Sequence, residues 1–523
     1  MLGESNGRIK LVSKSNITGI LPKGSFLTVE SPQSKIVLRV DDSQQEEPYA
    51  PSPMIVDMNL QALQQDQKCQ NIIYAYRVFD ISVRNDGLID YVRPQAIARK
   101  STQKEIDLAL GAEKKGPKIF LATVHANRNQ LLTDDASKPI TAAIPEDVFF
   151  HQTLICGKTG SGKTVAAKYL AQYFAEELGE SAAEKGCVLM VNVKEADFLT
   201  MDKASIAPTK EVEREWNALN EKGHGVDNFM IYYPANKKLS SVKSINTRLA
   251  QKVTLNVSEI DPDALVGLLQ NISDVAAQNL PDIFRYWLEE AKKKGETTFN
   301  NFISYMREMY EEREFDILNS RGDKSSITLP RGSYDNIMRN LNSASEFFDN
   351  GDAISLTEDK ILQRGKISVI DVTGIKGTQF GAILLRDLLH RIVSAKSEKR
   401  SDVPVLIIID EVHMFYGADS TREALGALDV ICRTGRSSQI GIIFSSQSPT
   451  DIPSGHSSVI NAKVFFKTDA SAARQLGFNV NQQELESLKK GYALASIHEL
   501  SQVKTIKFPL AFAGDITKGG KNE

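Results

Sequence analysis

Gly157-Lys158-Thr159-Gly160-Ser161-Gly162-Lys163-Thr164 satisfies the phosphate-loop pattern G-x-x-x-x-G-K-[ST] at every fixed position. Its glycines let backbone N–H groups turn toward the β- and γ-phosphates of ATP or GTP. Lys163 adds a point charge, and the Thr164 hydroxyl is a ligand for Mg²⁺. A second group of chemistry-bearing residues follows about 250 residues later, where the apolar run Val405-Leu406-Ile407-Ile408-Ile409 ends in Asp410-Glu411. An acid at the end of such a strand orients metal-bound water, here Asp410. Its neighbour Glu411 is placed to polarise an attacking water as general base. Acids also suit the N-terminus of a following helix, so it is the phosphate loop that gives this pair its catalytic reading.

A third group completes the set. Cys432-Arg433-Thr434-Gly435-Arg436 precedes the apolar run Ile440 to Phe444, which ends in Ser445-Ser446-Gln447-Ser448-Pro449. Gln447, at the end of a strand adjacent to the acidic one, can touch the γ-phosphate or the water. Arg433 and Arg436 can reach the nucleotide of a neighbouring subunit and stabilise transition-state charge there. The alternative for each arginine is a solvated surface position.

These groups need elements to hold them. Thr153-Leu154-Ile155-Cys156 before the loop reads as a strand, and Val165 to Ala175 after it as an amphipathic helix whose positive dipole end faces the phosphates. Cys187 to Val191, Phe229 to Tyr233, Ile367 to Ile370, Val405 to Ile409 and Ile440 to Phe444 are continuous apolar runs, typical of a parallel sheet covered on both faces. The acidic strand is expected beside the phosphate-loop strand. Roughly Ser258 to Asn350 is rich in helix formers and charge with few β-runs, which predicts a helical insertion. Phe284, Tyr286 and Trp287 there fall at helical spacing and read as core. Upstream, Ser25 to Val29, Lys35 to Val40 and Phe79 to Val83 alternate with turn residues, the pattern of a small barrel. The segment from Asp41 to Pro53 reads as an exposed loop, and Lys518 to Glu523 as a frayed end.

Composition narrows the class. A chain of 523 residues exceeds the size at which a single core keeps growing, so two or three domains are expected. With 41% apolar and 25% charged residues it reads as globular, and no run approaches the roughly 18 apolar residues of a membrane span. The start lacks an apolar signal core, so a cytoplasmic location is expected. Cys69, Cys156, Cys187 and Cys432 are far apart and read as buried thiols rather than a zinc site. A net charge of −3 gives no global basic footprint for nucleic acid. That leaves open a ring that confines its basic residues to a channel.

The sequence resembles the HerA family of hexameric DNA-translocating ATPases, in the HerA and FtsK branch of P-loop motors. The resemblance rests on Gly157 to Thr164, on Pro404 to Phe415 with its Asp-Glu-x-His, and on Arg433-Thr434-Gly435-Arg436 leading through Gly441-Ile442-Ile443 to Ser446-Gln447-Ser448-Pro449. It covers about residues 145 to 510. The resemblance implies an α/β fold: a RecA-like P-loop motor core with a mostly parallel sheet and a helical insertion, preceded by a small N-terminal β-barrel. The boundaries expected are 1–115 for the barrel, 116–257 and 351–510 for the two parts of the core, 258–350 for the insertion and 511–523 for a tail. ATP and Mg²⁺ are the implied cofactors. The implied partners are double-stranded DNA, further copies of the chain in a hexamer, and a nuclease or other effector docked on the barrel side.

Three positions qualify the resemblance. Where relatives carry an acidic residue and then Gly-Glu-Tyr after the second strand, this chain has Asn192-Val193-Lys194-Glu195-Ala196-Asp197, so Lys194 or Glu195 is left to act there. His413 receives no chemical role, and Arg339 lies where relatives carry a second arginine facing the nucleotide. Two readings of function compete: a DNA translocase working with a nuclease in end processing or anti-phage defence, and an ATPase ring that scaffolds an effector without processive movement. A conjugation-type coupling ATPase ranks third, because those relatives carry a membrane anchor. Lys376, in the loop Gly374 to Gln379, is a candidate phosphate contact for DNA or a simple exposed turn residue.

Overall fold

The computed structural model describes residues 3–5, 7–13, 21–46, 70–83, 91–111, 115–125, 128–194, 197–237, 239, 245–268, 274–374, 377–412, 437–448, 451, 460–475, 477, 480–498, 500 and 504–514. Six strands come first: β1 (Gly3–Ser5), β2 (Arg8–Val12), β3 (Phe26–Glu30), β4 (Lys35–Glu46), β5 (Gln70–Asp80) and β6 (Ala98–Lys100). They form one antiparallel sheet in the order β1-β2-β5-β4-β3-β6. The expected barrel does not close: among the described residues β1 and β6 are not paired, so the alternation that marks strands has produced an open sheet with two edges. Ile9, Leu11, Leu27, Val29, Ile36, Leu38 and Val40 fill its own small core, while Phe26 and Val37 join the larger core below. Helix α1 (Gln103–Leu110) follows, opened by a capping box between Thr102 and Glu105.

The rest of the chain is organised on one large sheet. Its strands are β7 (Lys118–His125), β8 (Arg128–Leu131), β9 (Thr141–Ala143), β10 (Gln152–Cys156), β11 (Cys187–Asn192), β12 (Phe229–Pro234), β13 (Ala250–Thr254), β16 (Ile354–Ser355), β17 (Ile367–Asp371), β18 (Val405–Ile409), β19 (Ile440–Ser446), β20 (Ile460–Phe465), β21 (Tyr492–Ile497) and β22 (Thr505–Lys507); β14 (Glu314–Leu318) and β15 (Lys324–Thr328) form a separate hairpin. The order is β16-β13-β12-β17-β11-β18-β19-β10-β20-β21-β22-β7-β8, with β9 beside β7. From β16 to β20 every pairing is parallel; from β20 onward every pairing is antiparallel.

Side-chain alternation explains why the parallel strands read as unbroken apolar runs. Cys187, Leu189 and Val191 enter one core while Val188 and Met190 enter the other, and Ile407 and Ile409 oppose Leu406 and Ile408 in the same way. Both faces are covered, so neither needs polar residues. The helix after the phosphate loop, α2 (Lys163–Glu176), packs on one face. The opposite face is covered by α4 (Asp274–Lys294), α5 (Phe299–Glu308), α6 (Arg331–Ala344) and α8 (Gly377–Ser397); α3 (Lys210–Ala218) and the short α7 (Glu358–Ile361) are further helices of this region. The segment 258–350 therefore shares the sheet's core, and it contains the β14–β15 hairpin, which its charged composition conceals. Trp287 is 6% exposed and packs against Phe302 with ring centroids 5.0 Å apart.

The acidic strand does not lie beside the phosphate-loop strand as expected. β19 lies between β18 and β10, with Cys156 opposite Ser446 and Ile409 opposite Phe444. Apolar periodicity reports burial and does not report which strand is the neighbour. The core also runs past residue 510: Ala511, Phe512 and Ala513 are buried, and the Gly514 carbonyl accepts from Lys168 Nζ at 2.9 Å and from Thr200 Oγ1 at 3.0 Å. Among the described residues no helix is long and apolar enough to cross a membrane. Cys156 and Cys187 are buried free thiols; Cys69 and Cys432 lie outside the described residues.

Candidate nucleotide site

The carboxyl ends of parallel strands form the edge at which α/β sheets bind ligands, and here the sequence's polar positions converge on that edge. β10 delivers the loop 157–162, and α2 begins at Lys163. Gly162 has φ +118°, and a Cβ there would stand 3.0 Å from the Gly491 nitrogen; a Cβ at Gly157 would stand 2.7 Å from Phe466 Cβ. Both places need glycine, the first for its backbone and the second for its lack of bulk. The loop is held from outside by Lys158 N donating to the Lys467 carbonyl at 2.8 Å and Gly491 N donating to the Ser161 carbonyl at 2.9 Å. Lys158, Thr159 and Gly160 are exposed and Thr164 is half-buried.

Lys163 is 7% exposed, and its ammonium donates to the Gly157 carbonyl at 2.5 Å and the Lys158 carbonyl at 3.4 Å. Burial pulls its pKa below the usual lysine range, against the opposing pull of Glu411 and Asp410. The Ser161 hydroxyl is buried with no hydrogen-bond partner among the described residues. Such a group is costly unless a ligand completes it.

Asp410 and Glu411 follow β18. Asp410 is 5% exposed and accepts from Ser445 Oγ at 2.7 Å. Burial raises its pKa; the Ser445 hydrogen bond works against that, while Glu411 and Asp197 add repulsion that works with it. Glu411 is 3% exposed and sits at φ +47°, a left-handed conformation costing on the order of 1 kcal/mol for a residue with a Cβ. One of its oxygens, Oε1, accepts from Lys194 Nζ at 2.7 Å and from Gln447 Nε2 at 2.8 Å. Burial pushes Glu411 up, but these two donors and the charges of Lys194 and Lys163 outweigh it and hold the carboxyl below its ordinary value.

The structure thus brings Lys163, Asp410, Glu411 and Gln447 to one edge. Lys194 and Ser445 join them. Lys194 follows β11, where a departure from the family pattern already marked it. The signal for Ser445 was a pair of serines closing an apolar strand. Arg433, Arg436, His413, Glu195 and Lys376 lie outside the described residues. Arg339 is exposed on α6 and makes no hydrogen bond or ion pair with the phosphate loop of its own chain.

The donor set suits a nucleotide with Mg²⁺. That ion prefers octahedral oxygen ligands, keeps several waters and takes much of its coordination from substrate phosphates, so one carboxylate and one hydroxyl from the protein suffice. Among the described residues no cluster of three metal-ligating side chains occurs.

The family profile described as the central domain of helicase HerA matches residues 131–392, a segment that contains the phosphate loop and ends before Asp410. The DNA double-strand break repair helicase HerA of Sulfurisphaera tokodaii is 24% identical over 267 residues, 48% of this chain and 51% of that protein. Its counterpart from Saccharolobus solfataricus is 25% identical over 248 residues, 44% of this chain and 46% of that protein. The chain therefore spans about half the length of the curated relatives it matches. Among solved structures, the unbound conjugative coupling protein TrwB covers 81% of this chain and 94% of its own, at 12% identity and a TM-score of 0.47. VirB4 of Thermoanaerobacter pseudethanolicus covers 76% of this chain and 97% of its own, at 14% identity and a TM-score of 0.45. With half of its length matched by the profile and the phosphate loop inside that match, the chain belongs to the HerA helicase family.

Proposed function

We propose that the protein is an ATP-hydrolysing motor that assembles as a hexameric ring and moves double-stranded DNA, working with a nuclease or another effector in DNA end processing or anti-phage defence. One observation carries this reading: the phosphate loop, the Asp410–Ser445 pair and the Glu411–Gln447–Lys194 group meet on one edge of one parallel sheet. The loop N–H groups and Lys163 hold the β- and γ-phosphates. Thr164 and Asp410 would hold Mg²⁺, which supplies charge neutralisation on the phosphates when bound. Glu411 is the general base for the attacking water, and Gln447 orients that water and the carboxylate. Arg433 and Arg436 are the residues a neighbouring subunit would contribute, which makes hydrolysis depend on the ring. The N-terminal antiparallel sheet is the end that receives the effector.

Steady-state ATP hydrolysis by the purified chain, with and without linear double-stranded DNA, tests the proposal. Hydrolysis that DNA stimulates and that Glu411→Gln abolishes is expected. Hydrolysis indifferent to DNA favours the regulatory ring that scaffolds an effector, and no hydrolysis at all defeats both.

A further inference from the structure

Lys194 reaches the site from the segment that follows β11. Its side chain is 45% exposed, yet its ammonium sits 2.7 Å from a carboxylate that is 4% exposed. The backbone that carries it is fixed: Asn192 Nδ2 donates to buried Asp371 Oδ1 at 3.2 Å, Asn192 Oδ1 accepts from Phe198 N at 3.2 Å, and the Asn192 carbonyl accepts from Val372 N at 2.9 Å. A long, half-exposed side chain on an anchored stem can change partner without moving the backbone, provided the new partner replaces the ion pair it leaves. Lys194 and Gln447 donate to the same oxygen of Glu411, so the carboxylate is held from two loops.

Charge bears on what happens when nucleotide arrives. A triphosphate brings more negative charge than one Mg²⁺ removes, and Lys163 is already buried against the loop carbonyls. Lys194, with a side chain 45% exposed, is a cation at this edge that can turn toward the added phosphate.

We propose that Lys194 is a positioning residue that pins Glu411 and transfers to the γ-phosphate when ATP binds, releasing the carboxylate for the attacking water. The proposal rests on the ATPase reading above. Because ADP has no γ-phosphate, the lysine distinguishes the two nucleotides, and a purely neutralising lysine would not.

The test uses the full chain and compares binding of a slowly hydrolysed ATP analogue with binding of ADP, both with Mg²⁺, in wild type, Lys194→Met and Lys194→Arg. Loss of one charge-assisted phosphate contact predicts about tenfold weaker analogue binding in Lys194→Met, with ADP affinity changed by less than about twofold. Lys194→Arg keeps the charge and is expected to recover most of the loss. Equal weakening of both nucleotides, or of neither, in a folded and ATP-binding variant overturns the assignment and leaves the ATPase reading intact. A wild-type chain that binds neither nucleotide overturns that reading, and this inference falls with it.

Discussion

Ser445→Ala probes how the site holds its buried acid. The substitution removes one oxygen and leaves a side chain of nearly the same shape, so β19 keeps its pairing with β10 and β18. What is lost is the 2.7 Å hydrogen bond to Asp410, a carboxylate only 5% exposed. A hydrogen bond to a charged, buried group contributes about 1.5–3 kcal/mol. At about 1.4 kcal/mol per factor of ten, that corresponds to a roughly tenfold to hundredfold weaker hold on whatever needs Asp410 ionised and oriented. Burial pushes the Asp410 pKa up, and the Ser445 hydroxyl, with a smaller pull from the Lys163 charge, opposes this. The Mg²⁺ concentration giving half-maximal ATP hydrolysis at saturating ATP is therefore expected to rise by about tenfold or more in Ser445→Ala. Metal-free ADP binding and the thermal midpoint serve as controls and are expected to change little. An unchanged Mg²⁺ requirement in the folded variant would refute the role given to this pair.

Other residues offer independent checks. Glu105 accepts from Arg99 Nη2 at 2.6 Å, Lys35 Nζ at 2.7 Å, Thr28 Oγ1 at 2.9 Å and Thr102 N at 2.9 Å; burial pushes its pKa up, but these contacts outweigh it and hold the carboxyl well below its ordinary 4.5. A depressed carboxyl stabilises the fold in full above its ordinary value and loses that contribution as pH falls from there through its own lowered value, so Glu105→Gln is expected to cost about 1–3 kcal/mol at neutral pH, with the gap in unfolding midpoint closing in strong acid. Trp287→Ala removes a ring packed on Phe284 and Phe302 and is expected to cost roughly 3–5 kcal/mol, read by denaturant unfolding, while ATP binding by the folded fraction is retained. For the arginines, Arg436→Ala and Glu411→Gln chains are mixed: a shared site gives more activity in the mixture than the separate proteins supply, whereas simple dilution argues that each chain hydrolyses alone.

The phosphate loop and the acidic pair were legible because their chemistry is contiguous: glycines and a lysine in eight residues, and two acids closing an apolar run. The parallel sheet was legible because strands buried on both faces cannot afford polar positions. Strand order was not, since burial is the same whichever neighbour a strand has, and β19 came to lie between β10 and β18. Nor did alternation in the first hundred residues say whether the sheet closes. The hairpin in the insertion was hidden by its solvent-facing charges. Lys194 and Ser445 lie 217 and 35 residues from the acids they touch, so only the fold reveals the contacts. The sequence pointed to Lys194 or Glu195 by what was missing around them; Ser445 was not singled out, although two serines closing an apolar strand were a signal.

A motor that moves DNA exerts force on it, and displacement of a protein roadblock measures that force directly. Linear double-stranded DNA carrying streptavidin at one end is incubated with the purified chain, ATP and Mg²⁺, and released streptavidin is followed with time. Release by the wild type that requires ATP and is lost in Glu411→Gln is expected. Wild-type chains that hydrolyse ATP in the presence of this DNA yet leave the roadblock in place would contradict it.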